Sequence, residues 1–316
     1  MSPRQAPPAV SAPLTRRALL RRGSLVLGGL AAASAGTLPR VLADSARPPA
    51  LVFGALTDIH YADKPSAGNR HYREALDKLE AALDHLRDKQ PGFIVELGDF
   101  IDKTDTVEQE IGFLRTVEQV FAKAPCDRHY VLGNHCIDTL VKDEFLENCG
   151  ARAPHYSFDQ GGFHFVVLDS CYNSDGDPYG RGNYVWTDAN IPAAQIRWLR
   201  EDLERTGKPV VVFAHQRLDG EGAHFVNNAG DVRAALAASG KVLAVLQGHN
   251  HRNDYRQLDG IHYCTLVAMV EGSGADHSGA SLVSMFDDGS IRIDGFLRQS
   301  NYHWPAGAAG AGTEAA

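Results

Sequence analysis

Several things are missing from this chain of 316 residues, and each absence excludes something. No apolar run reaches the ~18 residues that a membrane-crossing helix needs, so no span is expected. The five cysteines (Cys126, Cys136, Cys149, Cys171 and Cys264) contain no Cys-x-x-Cys pair. A structural zinc site of the usual spacing is therefore not expected. No internal repeat and no second domain are evident. Positive charge is scarce once the first residues are set aside. Residues 1–43 hold six Arg and no acid, which leaves 25 basic against 39 acidic side chains in the remainder, a net charge of −14. So acidic a chain is not expected to rest on a nucleic-acid polymer.

The composition, 44% hydrophobic and 22% charged, is that of one large globular domain with a substantial core. The first 43 residues differ from it. Arg16-Arg17 and Arg21-Arg22 precede a short apolar stretch, Leu25 to Ala33, then small residues and Val41-Leu42-Ala43. This is the layout of an export signal, and the segment from Thr15 to Arg21 resembles the twin-arginine type. Cleavage is expected after Ala43, with the twin-arginine machinery as a partner and a periplasmic or extracellular destination. A disordered basic arm or an amphipathic helix is the plainer alternative.

A linker at 44–50 leads into a domain expected over 51–304, with a frayed tail at 305–316. Apolar strands are expected over 51–57, 93–97, 129–132, 163–168, 210–214 and 242–246. Helical spacing appears between them, at 70–89, 107–123, 139–148, 190–207 and 229–239. From 252 onward the pattern turns to hairpins, with Asp259-Gly260 and Asp288-Gly289 as turns. Strands alternating with helices and closing on hairpins give a layered α/β fold, in which ligands gather at the carboxyl ends of the strands.

Five of those strands end in groups with chemistry. The first delivers Asp58 and His60, and the second delivers Asp99. The third delivers Asn134 and His135, the fourth His215, and the fifth His249 and His251. Taken singly each is weak, since an Asp after a strand caps a helix or turn and a lone His is commonly a satisfied structural residue. Their joint occurrence at one end of the strands is the signal. Imidazole, carboxylate and amide suit two divalent ions of the Mn, Fe or Zn kind, whereas a calcium cage is richer in oxygen. A carboxylate can bridge two ions where imidazole cannot. Such a pair polarises a phosphoryl oxygen and acidifies a water between the ions.

The order D-x-H, G-D-x-x-D, G-N-H, a lone His and G-H-x-H resembles the calcineurin-like metallophosphoesterase superfamily. It is carried here by Asp58/His60, Asp99/Asp102, Asn134/His135, His215 and His249/His251. The resemblance implies a four-layer α/β/β/α sandwich with two mixed β-sheets. It assigns Asp58, His60 and His251 to one ion, Asn134, His215 and His249 to the other, and Asp99 as the bridge. His135 becomes the group that protonates or hydrogen-bonds the leaving oxygen, oriented by Asp102, and a metal-bound hydroxide becomes the nucleophile.

Departures narrow the branch. Lys103-Thr104 after Asp102, Leu132 before Gly133 and Cys136 after His135 differ from the protein Ser/Thr phosphatase pattern. Asp102 stands where purple acid phosphatases carry a Tyr ligand. The H-x-H-x-D-H cluster of metallo-β-lactamases is absent. "DIHYAD…RHYREAL" over 58–76 looks like the manganese-dependent ADP-ribose/CDP-alcohol diphosphatase branch. The expectation is a hydrolase of a small phosphodiester or nucleotide-type pyrophosphate. A phosphomonoesterase, or a non-catalytic metal- or phosphate-binding protein on the same scaffold, is the alternative.

Substrate cations are sought at Arg73, Arg217 and Arg252, with Arg70, His71 and Arg181 as further candidates. The loop at 171–186 is either a lid or a separately packed excursion. Pro178 and Tyr184 exclude a calcium loop there. Cys136 is expected to be a buried filler or a disulfide partner of Cys149.

Overall fold

The computed structural model describes residues 47–306. The expected export segment, the start of the linker and the tail beyond 306 lie outside them. In chain order the elements begin with β1 (Leu51–Leu56), α1 (Ala75–Arg87), β2 (Phe93–Glu96), α2 (Val107–Phe121) and β3 (Asp127–Tyr130). Then come α3 (Lys142–Cys149), β4 (Tyr156–Gln160), β5 (Phe163–Val167), α4 (Ala193–Arg205) and β6 (Val210–Phe213). The chain continues through α5 (Ala229–Ser239), β7 (Val242–Gln247), β8 (Asp254–Leu258) and β9 (Ile261–Thr265). It closes on β10 (Gly279–Met285), β11 (Ile291–Leu297) and β12 (Tyr302–Trp304).

Two six-stranded sheets result, in the orders β12-β11-β10-β1-β2-β3 and β4-β5-β6-β7-β9-β8. Both are mixed. β1, β2 and β3 are parallel while β10 is antiparallel to β1. β5, β6, β7 and β9 are parallel while β4 and β8 are antiparallel edges. Alternation along each strand decides which layer a side chain joins. In β1, Phe53 and Ala55 face the other sheet, and Leu56 faces the helices. In β6, Val211 and Phe213 face inward, and Val210 and Val212 pack under α4 and α5. α1, α2 and α3 cover the first sheet with Leu79, Leu83, Leu86, Leu114, Phe121 and Phe145. This is the expected four-layer α/β/β/α sandwich.

An aromatic stack joins the two sheets. Phe93 lies parallel to Phe53 at 4.7 Å and edge-on to Phe165 at 4.9 Å. Phe165 in turn stacks on Phe213 at 5.8 Å. All four rings are fully buried.

The structure departs from the sequence reading at three places. The third strand ends at Tyr130, and the next turn of structure is a 3-10 helix at Asn134–Ile137, with α3 starting only at Lys142. β4 and β12 are additional to the expected strands. Both are edge strands with half-buried residues, so neither has the continuous apolar run that marks a central strand. The two late hairpins also separate. β9 adds to β7 in the second sheet, and β10 crosses back to pair with β1 in the first. Among the described residues, no helix is long and apolar enough to cross a membrane.

Replacing Phe93 with Ala removes the ring shared by both sheets. It should cost about 3–5 kcal/mol of unfolding free energy, read from the urea midpoint at unchanged m-value. A cost below about 1 kcal/mol would mean that this stack does not hold the sheets together.

Candidate metal centre

The expected strand-end residues come together where the carboxyl ends of the parallel strands in the two sheets meet. Asp58, His60, Asp99 and His215 are essentially inaccessible, Asn134 and His249 are buried, and His251 is half-buried. Five of these residues have left-handed backbones, with φ of +53° at Asp58, +47° at His60, +58° at Asp99, +69° at His249 and +60° at His251. L residues rarely adopt this conformation, and it costs of order 1–3 kcal/mol each, so the surroundings must enforce it. Cross-strand hydrogen bonds do so. Asp58 N donates to Gly98 O at 3.0 Å, His60 N to Asp99 O at 2.7 Å and Val270 N to Asp58 O at 3.0 Å.

Close approach explains two of the motif glycines. A Cβ on Gly133 would lie 2.1 Å from Asp99 N, and one on Gly248 would lie 2.1 Å from Thr57 Oγ1 and 2.7 Å from Asp58 Oδ2. Without those atoms, His135 N reaches Asp99 Oδ1 at 2.7 Å and His249 N reaches Asp58 Oδ2 at 3.0 Å. Each carboxylate thus spends one oxygen on backbone and keeps the other for the centre.

The free oxygens and ring nitrogens form two clusters that share an atom. Around Asp58 Oδ1, His60 Nε2 lies at 3.7 Å and His251 Nε2 at 3.3 Å, and the two nitrogens are 3.2 Å apart. Asp99 Oδ2 lies 3.4 Å from His60 Nε2 and 3.1 Å from His215 Nε2. His249 Nδ1 closes the second cluster, 3.3 Å from His215 Nε2. Asn134 sits at the start of the 3-10 turn and lines the same cavity as Asp99, His135 and His249.

Three of the four histidines have their tautomer fixed from behind. His60 Nδ1 is 3.0 Å from Asp102 Oδ2, His251 Nδ1 2.7 Å from Glu271 Oε1 and His215 Nδ1 2.9 Å from Leu97 O. A carboxylate or carbonyl only accepts, so each Nδ1 carries the hydrogen and each Nε2 lone pair faces the cluster.

Two divalent ions fit this donor set. Asp58 Oδ1, which faces the first cluster, is buried without a hydrogen-bond donor. Donors bonded at about 2.0–2.2 Å to one ion stand roughly 3–3.5 Å apart, which is the spacing found here. Electrostatics agrees. Burial opposes charge on Asp58 and Asp99, but His251 and His60 around the first, and His215, His135 and His60 around the second, hold both carboxyls well below the usual range. Burial and the neighbouring His215 push His249 down to about 3, leaving a neutral imidazole. At His251 burial is outweighed by the Asp58 carboxylate facing Nε2 and by the Glu271 carboxylate hydrogen-bonded to Nδ1, which raise it to about 9.

Asp102 serves two histidines. It accepts from His60 Nδ1, and its Oδ1 stands 3.5 Å from His135 Nδ1, too far for a good hydrogen bond. Oδ1 instead accepts from Lys64 Nζ and Lys103 N at 2.7 and 2.8 Å. His135 faces a cavity of about 300 Å³ over the centre, with Tyr184 and Trp186 of the long loop on its other walls. That loop therefore does reach the site.

Of the expected cations, Arg252 and Arg70 line an opening at the centre. Arg217 is not a free cation, because it is buried in ion pairs with Asp219 and Asp254. Arg73 points to Asp63 at the surface, and Arg181 is held by Glu144. The five cysteines are all unpaired. Cys136 is a buried filler whose Sγ accepts from Phe100 N at 3.3 Å.

The sequence reading missed Glu271, Lys64 and Lys78. Lys78 is buried on α1, and its Nζ donates to the carbonyls of Met269, Val270, Glu271 and Gly272. It thereby holds the loop that presents Glu271 to His251. No spacing signals these contacts, because loop 268–274 is brought to α1 only by the fold.

Asp99→Ala should remove both ions together, seen as loss of bound metal by mass spectrometry of metal content. Retention of one ion would assign Asp99 to a single site. Because His251 and His215 have raised pKa values in the metal-free protein, ions must displace protons. Apparent affinity should therefore rise from pH 6 toward pH 9, with proton release in weakly buffered titrations. A pH-independent affinity would contradict this proton competition.

No family model matches the chain. A protein named manganese-dependent ADP-ribose/CDP-alcohol diphosphatase from Xenopus laevis is 23% identical over 329 residues, covering 81% of this chain and 91% of its own. One of the same name from Oryza sativa is 23% identical, covering 73% and 87%. Among solved structures, a dimetal phosphatase from Danio rerio superposes with a TM-score of 0.73 at 19% identity, over 82% of this chain and 99% of that one. The purple acid phosphatase PPD1 from yellow lupin gives a TM-score of 0.53 at 14% identity, over 80% and 52%. Two histidine–carboxylate clusters about one aspartate oxygen, on this sandwich, give the chain the fold and donor set of the calcineurin-like metallophosphoesterases it resembles, and with these relatives they support a hydrolase of phosphate esters working with two divalent ions.

Proposed function

We propose that this chain hydrolyses small nucleotide-type diphosphates in an exported location, with manganese as the working metal. The observation that carries the substrate class is the match to the two diphosphatases above, which spans 91% and 87% of their lengths. The sequence reading of residues 1–43 supports the export.

When bound, the two ions supply a Lewis acid for a phosphoryl oxygen and acidify a water at neutral pH. The chain's own residues do the rest. Asp99 keeps the two clusters in register through Oδ2 while His135 N fixes its other oxygen. Asp102, Glu271 and the Leu97 carbonyl hold three imidazoles in the donor tautomer. His135 is partly exposed to the cavity and beside the centre, its ring 4.7 Å from that of His60. From there it can give a proton to the departing oxygen, and Asp102 stabilises the imidazolium at 3.5 Å. Tyr184 and Trp186 narrow the cavity and limit bulk water around the reacting phosphoryl.

His135→Ala should keep both ions and lower kcat by ~10²–10⁴, the span of a general acid. The check is metal content alongside turnover of ADP-ribose with Mn²⁺. Loss of metal in this variant would make His135 a ligand instead. Should p-nitrophenyl phosphate be turned over faster than every diphosphate and diester, a monoesterase function would replace the diphosphatase one.

A further inference from the structure

Next to the centre lies a second cavity, of about 580 Å³, within the range of small-ligand sites. His249 and His251 form part of its wall, so it opens directly onto the ion side of the site. Three guanidinium groups line it, those of Arg70, Arg252 and Arg298, with Asn69 beside them. Its single carboxylate, Glu271, is already committed to His251 Nδ1 at 2.7 Å and Asn69 Nδ2 at 2.6 Å.

The arginines are not used up by the fold. Arg252 is exposed and has no hydrogen-bond or ion-pair partner among the described residues. Arg298 spends one N–H on the Glu271 carbonyl at 3.0 Å. Arg70 stands 3.7 Å from Asp102, with its side chain one third exposed. A surplus of guanidinium charge at one cavity, in a chain of formal net charge −8, calls for an anion. The planar fork of Arg matches phosphate oxygens bidentately. Because this surplus lies beside the candidate ion positions and not over them, it fits a phosphoryl group next to the one held there.

We propose that Arg70, Arg252 and Arg298 form a subsite for the phosphoryl group next to the one under attack, and that this subsite favours diphosphate esters over simple mono- and diesters. The inference rests on the proposed diphosphatase function and deepens it. In the hydrolysis, a water oxygen bonds to the attacked phosphorus while the anhydride P–O bond breaks. The bridging oxygen leaves with that electron pair on the phosphoryl group held by the arginines and can take the His135 proton, and the water's protons pass to solvent and restore the one given by His135. The guanidinium groups offset the charge that develops on the leaving phosphoryl.

The test uses the Mn²⁺-loaded full chain and its Arg252→Ala, Arg298→Ala and double variants, with metal content measured throughout. The first readout is the ratio of kcat/KM for ADP-ribose to that for bis-p-nitrophenyl phosphate. It should fall about tenfold or more in each single variant, the worth of one charged hydrogen bond. A double variant whose ratio changes less than threefold overturns the subsite. The second readout is competitive inhibition of bis-p-nitrophenyl phosphate hydrolysis by ADP and by AMP. The subsite predicts tighter inhibition by ADP in the wild type and loss of that advantage in the double variant. Equal inhibition by the two in the wild type overturns it. Wild-type turnover of the diester without turnover of ADP-ribose would sink the diphosphatase reading, while the ADP-to-AMP comparison still judges the subsite by itself.

Discussion

One carboxylate organises this protein. Asp99 gives Oδ1 to the backbone N–H of His135 and leaves Oδ2 between His60 and His215, which belong to different sheets' strand ends. A single oxygen therefore stands between the two candidate donor clusters, and one side chain ties their positions together. Everything else in the site either fixes that side chain or aims a donor at it. Gly133 has no Cβ because the space is filled by Asp99 itself.

Holding the shared oxygen in place costs backbone strain. Five of the candidate donor residues sit at positive φ, after strands that would otherwise carry their side chains to alternating faces. The strain is offset by burial around them. The aromatic stack of Phe53, Phe93, Phe165 and Phe213 clamps the two sheets together. The loops are then locked by backbone hydrogen bonds and by the Lys78 ammonium on four successive carbonyls. The side chains of the centre keep opposite charges in contact, with depressed carboxyls beside His215 and His251, whose pKa values are raised. Such a site is preorganised for cations that replace those protons.

The donor residues were legible in the sequence because each comes directly after an apolar strand, and parallel strands bring the residues beyond their carboxyl ends to one edge. Asp58, His60, Asp99, Asn134, His215, His249 and His251 all arrive there. The layers were legible for the same reason, since helices alternate with buried strands. What was not legible lies in long-range contacts. Glu271 orients His251 from 20 residues away, and Lys78 holds that loop from its buried position on α1. Arg217 and Arg73 read as free cations in the sequence because an arginine's partner is invisible until the fold supplies it; Asp219 and Asp254 take the first and Asp63 the second. Edge strands β4 and β12 give no sequence signal because half-buried strands lack a continuous apolar run.

Two Mn²⁺ ions that shared the Asp99 carboxylate would carry a magnetic signature, because a bridging carboxylate couples neighbouring Mn²⁺ ions. Electron paramagnetic resonance of the Mn²⁺-loaded protein reads that coupling. Two Mn²⁺ per chain and the spectrum of a spin-coupled pair are expected, and the coupling should disappear in Asp99→Ala. A six-line spectrum of isolated Mn²⁺ at saturating metal, with one ion per chain, would contradict a shared Asp99.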